Sequence, residues 1–289
     1  MTSLKELKNK VGVIESTKKV TSAMKLVAGV KLRKAKQKVV TSREYSSELA
    51  DMISKIRIEL LGVESDLFSG RKNVETVLLV VFASDIGLCG NFNYLVNKHA
   101  KEAIRVIHED GKKVKILCIG NKLLNPLKAM LKSSDTIEFI PNFYNSKDML
   151  EKSKELSEKI IAYYQSEAVD KVSIVCTVYY SAMRLSVETK DIIPILCVPS
   201  EDKTMTIFEP SAEKILDDLL PYNIAVQIYQ CALESITSEQ NARMTSMDSA
   251  TRNADTLLAD FKTKYNRGRQ LKITQELTEI IAGAKAVEG

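Results

Sequence analysis

One loop in the middle of the chain carries residue types that could do chemistry. It reads Ser84-Asp-Ile-Gly-Leu-Cys-Gly-Asn-Phe-Asn93 and follows a short apolar run, as a phosphate-binding loop follows a strand. Gly87 and Gly90 complete neither a GxGxxG pattern nor a Walker A sequence with its Lys and Ser/Thr. Nucleotide binding is therefore not expected here. Cys89 is a poor nucleophile candidate, since no hydrolase elbow surrounds it.

The other residue types that catalyse reactions give no better site. The two histidines, His99 and His108, fall on the helical pattern after the loop, with no orienting partner evident in the sequence. The pair Asp217-Asp218 lies beside Pro221 on a predicted short polar helix, where solvent exposure is the more usual role. No cluster has the spacing of metal ligands. The sequence predicts no catalytic residue, no metal site and no cofactor.

The loop belongs to a segment in which apolar runs alternate with helical patterns. Strands are predicted at 77–83, 114–119, 136–140 and 172–180, helices at 94–110, 121–132 and 147–166, and closing strands at 186–198 and 204–208. Such alternation predicts an α/β fold with a parallel or mostly parallel sheet and an antiparallel strand at its edge.

Both ends of the chain carry long helical patterns without proline. Residues 1–60 open on a capping box of Ser3 and Glu6 and repeat apolar residues every three or four positions. Residues 222–289 repeat apolar residues with the same spacing, which predicts a helix of roughly 60 residues and about 90 Å. A helix of that length needs a partner along it. The two ends are therefore predicted to form a coiled coil, antiparallel because the segment between them is compact.

The register of this coiled coil follows from where each helix meets the middle segment. If the first ends near Leu60 and the second begins near Tyr222, Met24 lies opposite Leu257 or Leu258. Residues from about Thr274 onward then have no partner. The overhang is nevertheless apolar, with these residues on it: Leu277, Ile280, Ile281, Ala284 and Val287.

Composition and charge exclude several classes of protein. No apolar run is long enough to span a bilayer, and the N-terminus lacks the features of a signal or transit peptide. The five cysteines form no CxxC pair, which indicates reduced core residues. Residues 1–40 hold eleven Lys or Arg against two Glu, with a cluster at 31–38. Such a stretch is either a solvated face or a surface for nucleic acid, anionic membrane or an acidic protein.

Several segments together resemble the gamma subunit of F-type ATP synthases, from one end of the chain to the other. Thr17-Lys-Lys-Val-Thr-Ser-Ala-Met-Lys-Leu-Val-Ala28 and Lys31-Leu-Arg-Lys-Ala35 are similar to its first helix, and residues 84–93 to its central loop. The C-terminal half is similar through these segments: 208–210, 219–221, 238–244, 247–254 and 265–280. In the loop, Ile86 and Asn91 stand where the family commonly has Arg and Gly.

The resemblance implies a fold and a role. Residues 1–61 and 222–289 would form an antiparallel coiled-coil shaft, 74–209 a Rossmann-like α/β domain, and 62–73 and 210–221 the connections. The chain would be a non-catalytic central-stalk rotor subunit without cofactors, coupling proton flow through the membrane ring to ATP synthesis or hydrolysis. It would lie at the cytoplasmic face of a bacterial inner membrane, peripherally. Its partners would be the alpha and beta subunits, the epsilon subunit and the ring of c subunits.

Particular residues match family positions that contact partners. Those matching beta-subunit contacts are Arg269, Gln270, Thr274, Met24, Arg243, Lys31, Arg33 and Lys34. Glu209 matches a foot residue near the c-ring and the epsilon subunit. Two alternatives remain from the residues alone: a cytosolic basic coiled-coil adaptor or nucleic-acid-binding protein, and an α/β enzyme.

Overall fold

The computed structural model describes residues 4–59, 66–144, 148–182, 184–195, 209 and 211–288. Two helices dominate: α1 (Leu4–Glu59) and α6 (Ala212–Glu288). Between them lie α2 (Asp66–Ser69), β1 (Thr76–Phe82), α3 (Phe92–Glu109), β2 (Lys113–Ile119), a 3₁₀ turn (Asn121–Leu123), α4 (Leu124–Lys128), β3 (Thr136–Ile140), α5 (Met149–Gln165), β4 (Lys171–Tyr179) and β5 (Leu185–Ile193). The chain divides into two compact units, Gly29–Ala242 and Met1–Ala28 with Arg243–Gly289.

The larger unit is built on a five-stranded sheet in the order β3-β2-β1-β4-β5. Strands β1 to β4 pair in parallel, and β5 pairs antiparallel with β4 at the edge. This confirms the prediction of a mostly parallel sheet with an antiparallel edge strand. The predicted strand at 204–208, like the proposed capping Ser3, lies outside the described residues.

Helices cover both faces of this sheet. On one face, α3 and α4 bury Val96, Ala100 and Leu127 against β1 and β2. On the other, residues of α1, α5 and α6 such as Ile53 and Ile160 pack on β1 and β4. The four cysteines in the described part are free and buried, and burial raises the pKa of the Cys118 thiol to about 12. Only deprotonated thiols attack electrophiles, so Cys118 is an unreactive residue of the core.

The carboxyl ends of β1 and β2 approach each other closely at one glycine. Gly120 has a φ of +95°, and a Cβ atom there would lie 2.2 Å from the carbonyl oxygen of Ala83. Only glycine fits this backbone. The contact fixes the position of the loop that begins at Ser84, because the amide of Lys122 donates to the Ser84 carbonyl at 3.1 Å.

Helix α6 begins ten residues earlier than predicted and contains Pro221. Proline inside a helix costs about 3 kcal/mol or more, because it removes one hydrogen bond and clashes with the preceding turn. Leu216 and Leu220, in the segment predicted to be a connection, are 4% and 2% exposed. Burying two leucines stabilises by about 1.5–3 kcal/mol each, which offsets that cost. Asp217 and Asp218 therefore lie on this long helix, both exposed, and not on a separate short one.

Two further elements differ from the prediction. The helix expected at 121–132 is a 3₁₀ turn followed by α4, which ends at Lys128 because the next residues form a turn, with Met130 donating to the Leu127 carbonyl at 3.0 Å. The predicted linker at 62–73 contains the short helix α2. Its Phe68 is buried in the core, and this burial stabilises the helix.

Candidate partner-contact surfaces

In the smaller unit, α1 and α6 run antiparallel and are joined by a ladder of polar contacts. Lys25 contacts Asp248 at 2.5 Å, Lys18 contacts Asp255 at 2.5 Å, and the hydroxyls of Thr21 and Thr251 lie 2.9 Å apart. Exposed ion pairs each stabilise by only about 0–1 kcal/mol. The ladder therefore mainly fixes the register between α1 and α6, because a shift of one helix along the other would separate each charge from its partner.

This register differs from the predicted one. Contacts at Thr21 and Lys25 place Met24 opposite the turn between Asp248 and Thr251, about two helical turns away from Leu257. The Lys25 ammonium lowers the pKa of Asp248 below its usual value. The Arg252 guanidinium, which lies 2.7 Å from the other carboxylate oxygen of Asp248, lowers this pKa as well. Asp248 therefore stays ionised at neutral pH.

The two shaft residues matched to partner contacts differ in accessibility. Met24 is partly exposed on α1, and the aliphatic residues around it, Leu26 and Val27, are 68% and 56% exposed. Arg243 on α6 is only 8% exposed. A partner can therefore reach the face of α1 that carries Leu26 more easily than it can reach the Arg243 side chain.

The three remaining matched residues of this unit lie together near the C-terminal end of α6. Arg269, Gln270 and Thr274 are all exposed, and the Thr274 hydroxyl donates to the Gln270 carbonyl at 3.0 Å. A Cβ atom added at Gly268 would lie 3.1 Å from the Leu4 side chain, so α1 still lies close to α6 at this position, whereas residues 269–284 are all exposed. The side chains of this part of α6 are therefore accessible to a partner.

The apolar overhang of α6 begins earlier than the predicted Thr274. Leu271 is 66% exposed and Ile273 45%, while Leu277, Ile280 and Ile281 are 55%, 67% and 58% exposed. A monomeric protein rarely exposes so continuous a run of aliphatic side chains, and such a run marks an interaction surface. The C-terminal part of α6 is therefore a candidate partner-contact surface.

In the larger unit, the basic residues matched to partner contacts lie on α1. Lys31, Arg33 and Lys34 are all exposed and have no ion-pair partner among the described residues. Their charges are therefore available to an acidic surface. Glu209 lies in a bend just before α6 and is exposed as well. The structure brings the three cations to one stretch of helix and leaves Glu209 on a different segment.

One group of functional interest escaped the sequence analysis. The carboxylate of Glu234 on α6 is 2% exposed and accepts hydrogen bonds from Arg43 and from the Tyr179 amide at the end of β4. The Arg43 guanidinium also donates to the Tyr179 carbonyl at 2.6 Å. The signal in the sequence is a glutamate inside an apolar stretch of the helix, Ala232-Leu-Glu-Ser-Ile236, where an acid needs a partner.

The central loop is held by its own side chains. The Asn93 amide donates to the Ser84 hydroxyl at 2.7 Å and to the Cys89 sulfur at 3.2 Å, and Ser84 is fully buried. These contacts engage the side chains of Ser84, Cys89 and Asn93 with one another. Ile86 and Leu88 are 66% and 62% exposed at the tip of the loop. The loop can present these two side chains to a partner.

Both histidines have partners that the sequence did not reveal. His108 lies 2.9 Å from Asp135, whose carboxylate also accepts the amides of Val114 and Lys132. His99 lies 3.0 Å from the hydroxyl of Thr189. Asp135 is occupied in holding two backbone segments together. Among the described residues, no group of three or more His, Cys, Asp or Glu could hold a metal ion.

Within the described part of the chain, no helix combines the length and the apolar character that crossing a membrane requires.

Comparison with protein families gives one match along nearly the whole chain. A family model described as ATP synthase matches residues 3–287. A relative from Sinorhizobium medicae described as ATP synthase gamma chain is 36% identical over 297 residues, covering 99% of this chain and 100% of the relative. One from Fusobacterium nucleatum with the same description is 35% identical over 290 residues, with the same two coverages.

Solved structures resemble this fold at lower identity. A chain from the Euglena gracilis mitochondrial ATP synthase (OSCP/F1/c-ring, rotational state 3) has a TM-score of 0.63 at 18% identity, covering 98% of this chain and 94% of that one. A chain from the central stalk and c-ring of the Tetrahymena thermophila mitochondrial ATP synthase has a TM-score of 0.56 at 20% identity, covering 80% and 99%. At these identities the likeness concerns the fold.

Proposed function

The chain belongs to the ATP synthase gamma-chain family, and from that premise we propose that it is the central-stalk rotor subunit of a bacterial F-type ATP synthase. It carries no catalytic site of its own. By rotating, it couples proton flow through a ring of c subunits to ATP synthesis or hydrolysis in a hexamer of alpha and beta subunits. It is peripheral, at the cytoplasmic face of the inner membrane.

The observation that carries this proposal is the similarity of the whole chain to bacterial gamma chains at about 35% identity. The structure supports it physically. A rotating shaft must transmit torque, which requires long continuous helices, and α1 and α6 contain 56 and 77 residues. The one proline inside them, Pro221, lies in the larger unit, so the antiparallel segments of the smaller unit are uninterrupted.

The surfaces divide among the proposed partners by their chemistry. Arg269, Gln270 and Thr274, with the exposed aliphatic residues after them, contact the inside of the hexamer. Lys31, Arg33 and Lys34 face acidic loops of the beta subunits. Met24 and Arg243, on the shaft, contact the beta subunits as well. Glu209 belongs to the foot near the c-ring and the epsilon subunit. The domain boundaries in this proposal are 1–61 with 222–289 for the shaft and 74–209 for the α/β domain.

Purification from native cells tests the proposal. An affinity tag on this chain should recover alpha, beta and epsilon subunits in fixed stoichiometry, and the purified complex should hydrolyse ATP while the chain alone does not. If nucleic acid copurifies instead of these subunits, and dissociates as the salt concentration rises, the rotor function is contradicted and a basic nucleic-acid-binding protein is favoured.

A further inference from the structure

A groove in the larger unit has the size and lining of a small-molecule site. It lies between α1 and α6, with Leu150 of α5 at one side, and has a volume of about 500 Å³. Ligand pockets in proteins commonly have about 300–1,000 Å³. Tyr45, Tyr222, Val226 and Tyr229 line it together with Leu150. The groove is large enough for a molecule of two or three rings.

The aromatic wall is organised before any ligand binds. The rings of Tyr45 and Tyr222 meet edge to face with 6.4 Å between centroids, and their hydroxyls lie 3.3 Å apart. Each phenol therefore restrains the other. Aromatic rings offer faces and edges that favour another ring, so a planar aromatic body suits this wall better than a branched aliphatic one.

Three donors in the groove lack an acceptor. The Ser42 hydroxyl is buried without a hydrogen-bond partner, in a residue that is 7% exposed. Within the described part of the chain, neither the Tyr229 hydroxyl nor the Lys38 ammonium has a partner. Burial and the nearby charge of Asp148 raise the pKa of Tyr229, so it remains a neutral donor. An unsatisfied buried hydroxyl is costly, and a ligand oxygen would satisfy it.

From these features we propose that the groove binds a small aromatic anion, with its rings against Tyr45 and Tyr222 and its carboxylate or sulfonate near Lys38 and Ser42. The residues that line the groove include one cation, Lys38, and no acid, and Asp148, whose charge reaches Tyr229, is not among them. The Lys38 side of the groove is therefore complementary to a negative group. The site is separate from the residues assigned above to partner contacts, and it gives this subunit a ligand that its proposed function does not require.

The probe for this site is 8-anilinonaphthalene-1-sulfonate, an aromatic anion whose fluorescence rises in apolar surroundings. Titration of the full-length chain should give saturable binding at one site. Lys38→Gln should weaken it about tenfold, the effect of losing one charge-assisted hydrogen bond. Lys36→Gln is the matched control: Lys36 is an exposed lysine on the same helix that does not line the groove, and its substitution should leave the affinity unchanged.

Two further measurements separate the groove from other apolar surfaces, including the end of α6. Thr41→Trp fills the groove from an exposed helix position and should abolish the saturable binding, and Gln37→Glu should weaken it by placing an acid at the rim. N-phenyl-1-naphthylamine, a neutral molecule of similar shape, should bind more weakly than the sulfonate and should not respond to Lys38→Gln. If the sulfonate binds Lys38→Gln and Gln37→Glu as tightly as the unmodified chain, the proposal is wrong.

Discussion

Arg43 on α1 and Glu234 on α6 form a bidentate ion pair. The Arg43 Nε lies 2.6 Å from Oε1 of Glu234, and the Arg43 Nη2 lies 2.8 Å from Oε2. The second carboxylate oxygen also accepts the Tyr179 amide at 2.8 Å. One buried carboxylate thus joins the N-terminal helix, the C-terminal helix and the end of a central strand. In a subunit proposed to transmit torque, such a joint connects the helices to the α/β domain.

Substitution of Arg43 should destabilise the larger unit. Arg43→Met leaves the Glu234 carboxylate buried with one amide donor, and removing the partner of a buried charge is costly. Since the Arg43 side chain is itself 40% exposed, water can replace part of the lost interaction, and we expect a loss of about 2 kcal/mol in the free energy of unfolding. Urea denaturation measures it. Arg33→Met, an exposed arginine on the same helix, should change stability by less than about 0.5 kcal/mol.

Much of the fold could be predicted because apolar periodicity is a local property. The strand at 136–140 has the predicted limits, and the other three parallel strands agree within one residue at each end. The start of α6 could not be predicted in this way, since Pro221 is a local signal for a helix end. The burial of Leu216 and Leu220, which overrides it, depends on the tertiary structure. That single error also displaced the predicted register, because the register was counted from the start of the helix.

For the candidate contact residues, the sequence predicts exposure better than it predicts polar partners. Exposure of Thr274 follows from the lack of a partner helix, which the sequence indicated. Exposure of Arg269 and Gln270 was not predicted, because the unpartnered part of α6 begins earlier than expected. The Arg43–Glu234 pair joins residues 191 positions apart, and no local pattern specifies which arginine reaches a buried glutamate. The same holds for His108 and Asp135, 27 positions apart. Long-range polar pairs of this kind become visible only when the fold is known.

Acid should destabilise the chain partly through Asp135. Two backbone amides and His108 lower the pKa of this buried carboxylate despite its burial. Its folded pKa is thus below the unfolded value of about 3.9, so its contribution is complete above that pH and is lost as the pH falls through the folded pKa. Asp135→Asn should remove up to about 1.4 kcal/mol per pH unit from the acid slope of the unfolding free energy. Denaturation at several pH values measures it, and Asp51→Asn, at an exposed position, should keep the original slope.

Two glycines should respond to alanine in opposite directions. Gly120→Ala places a methyl group against the Ala83 carbonyl at a backbone angle that alanine rarely adopts, so we expect destabilisation of about 4 kcal/mol or more. Gly12 lies inside α1 with no atom near its Cβ position, and Gly12→Ala should stabilise the helix by about 0.5–1 kcal/mol. Thermal or urea unfolding of the two variants decides this. Equal effects would show that the close approach at Gly120 does not exist in solution.

The exposed pair Arg269 and Gln270 should matter only in the assembled complex. Neither side chain has an ion pair or side-chain hydrogen bond among the described residues, so the double variant Arg269→Ala/Gln270→Ala should unfold at the same urea concentration as the unmodified chain. In a complex with alpha and beta subunits, it should lower the rate of ATP hydrolysis severalfold. Asn266→Ala/Arg267→Ala, at exposed positions one turn earlier, is the control. Unchanged hydrolysis by the first variant would exclude these residues as partner contacts.

The C-terminal part of α6 should be ordered by its partner. From Leu271 onward its aliphatic side chains are largely exposed, and isolated helical segments are marginal in water. Each aliphatic residue left in water forgoes about 1.5–3 kcal/mol, which an apolar sleeve in the hexamer would recover. We therefore expect amides beyond Thr274 to exchange hydrogen rapidly in the free chain and slowly after assembly with alpha and beta subunits. Amides near Thr251, in the paired region, provide the internal control and should be protected in both states. Strong protection beyond Thr274 in the free chain would contradict the sleeve, because the segment would then be stable without a partner.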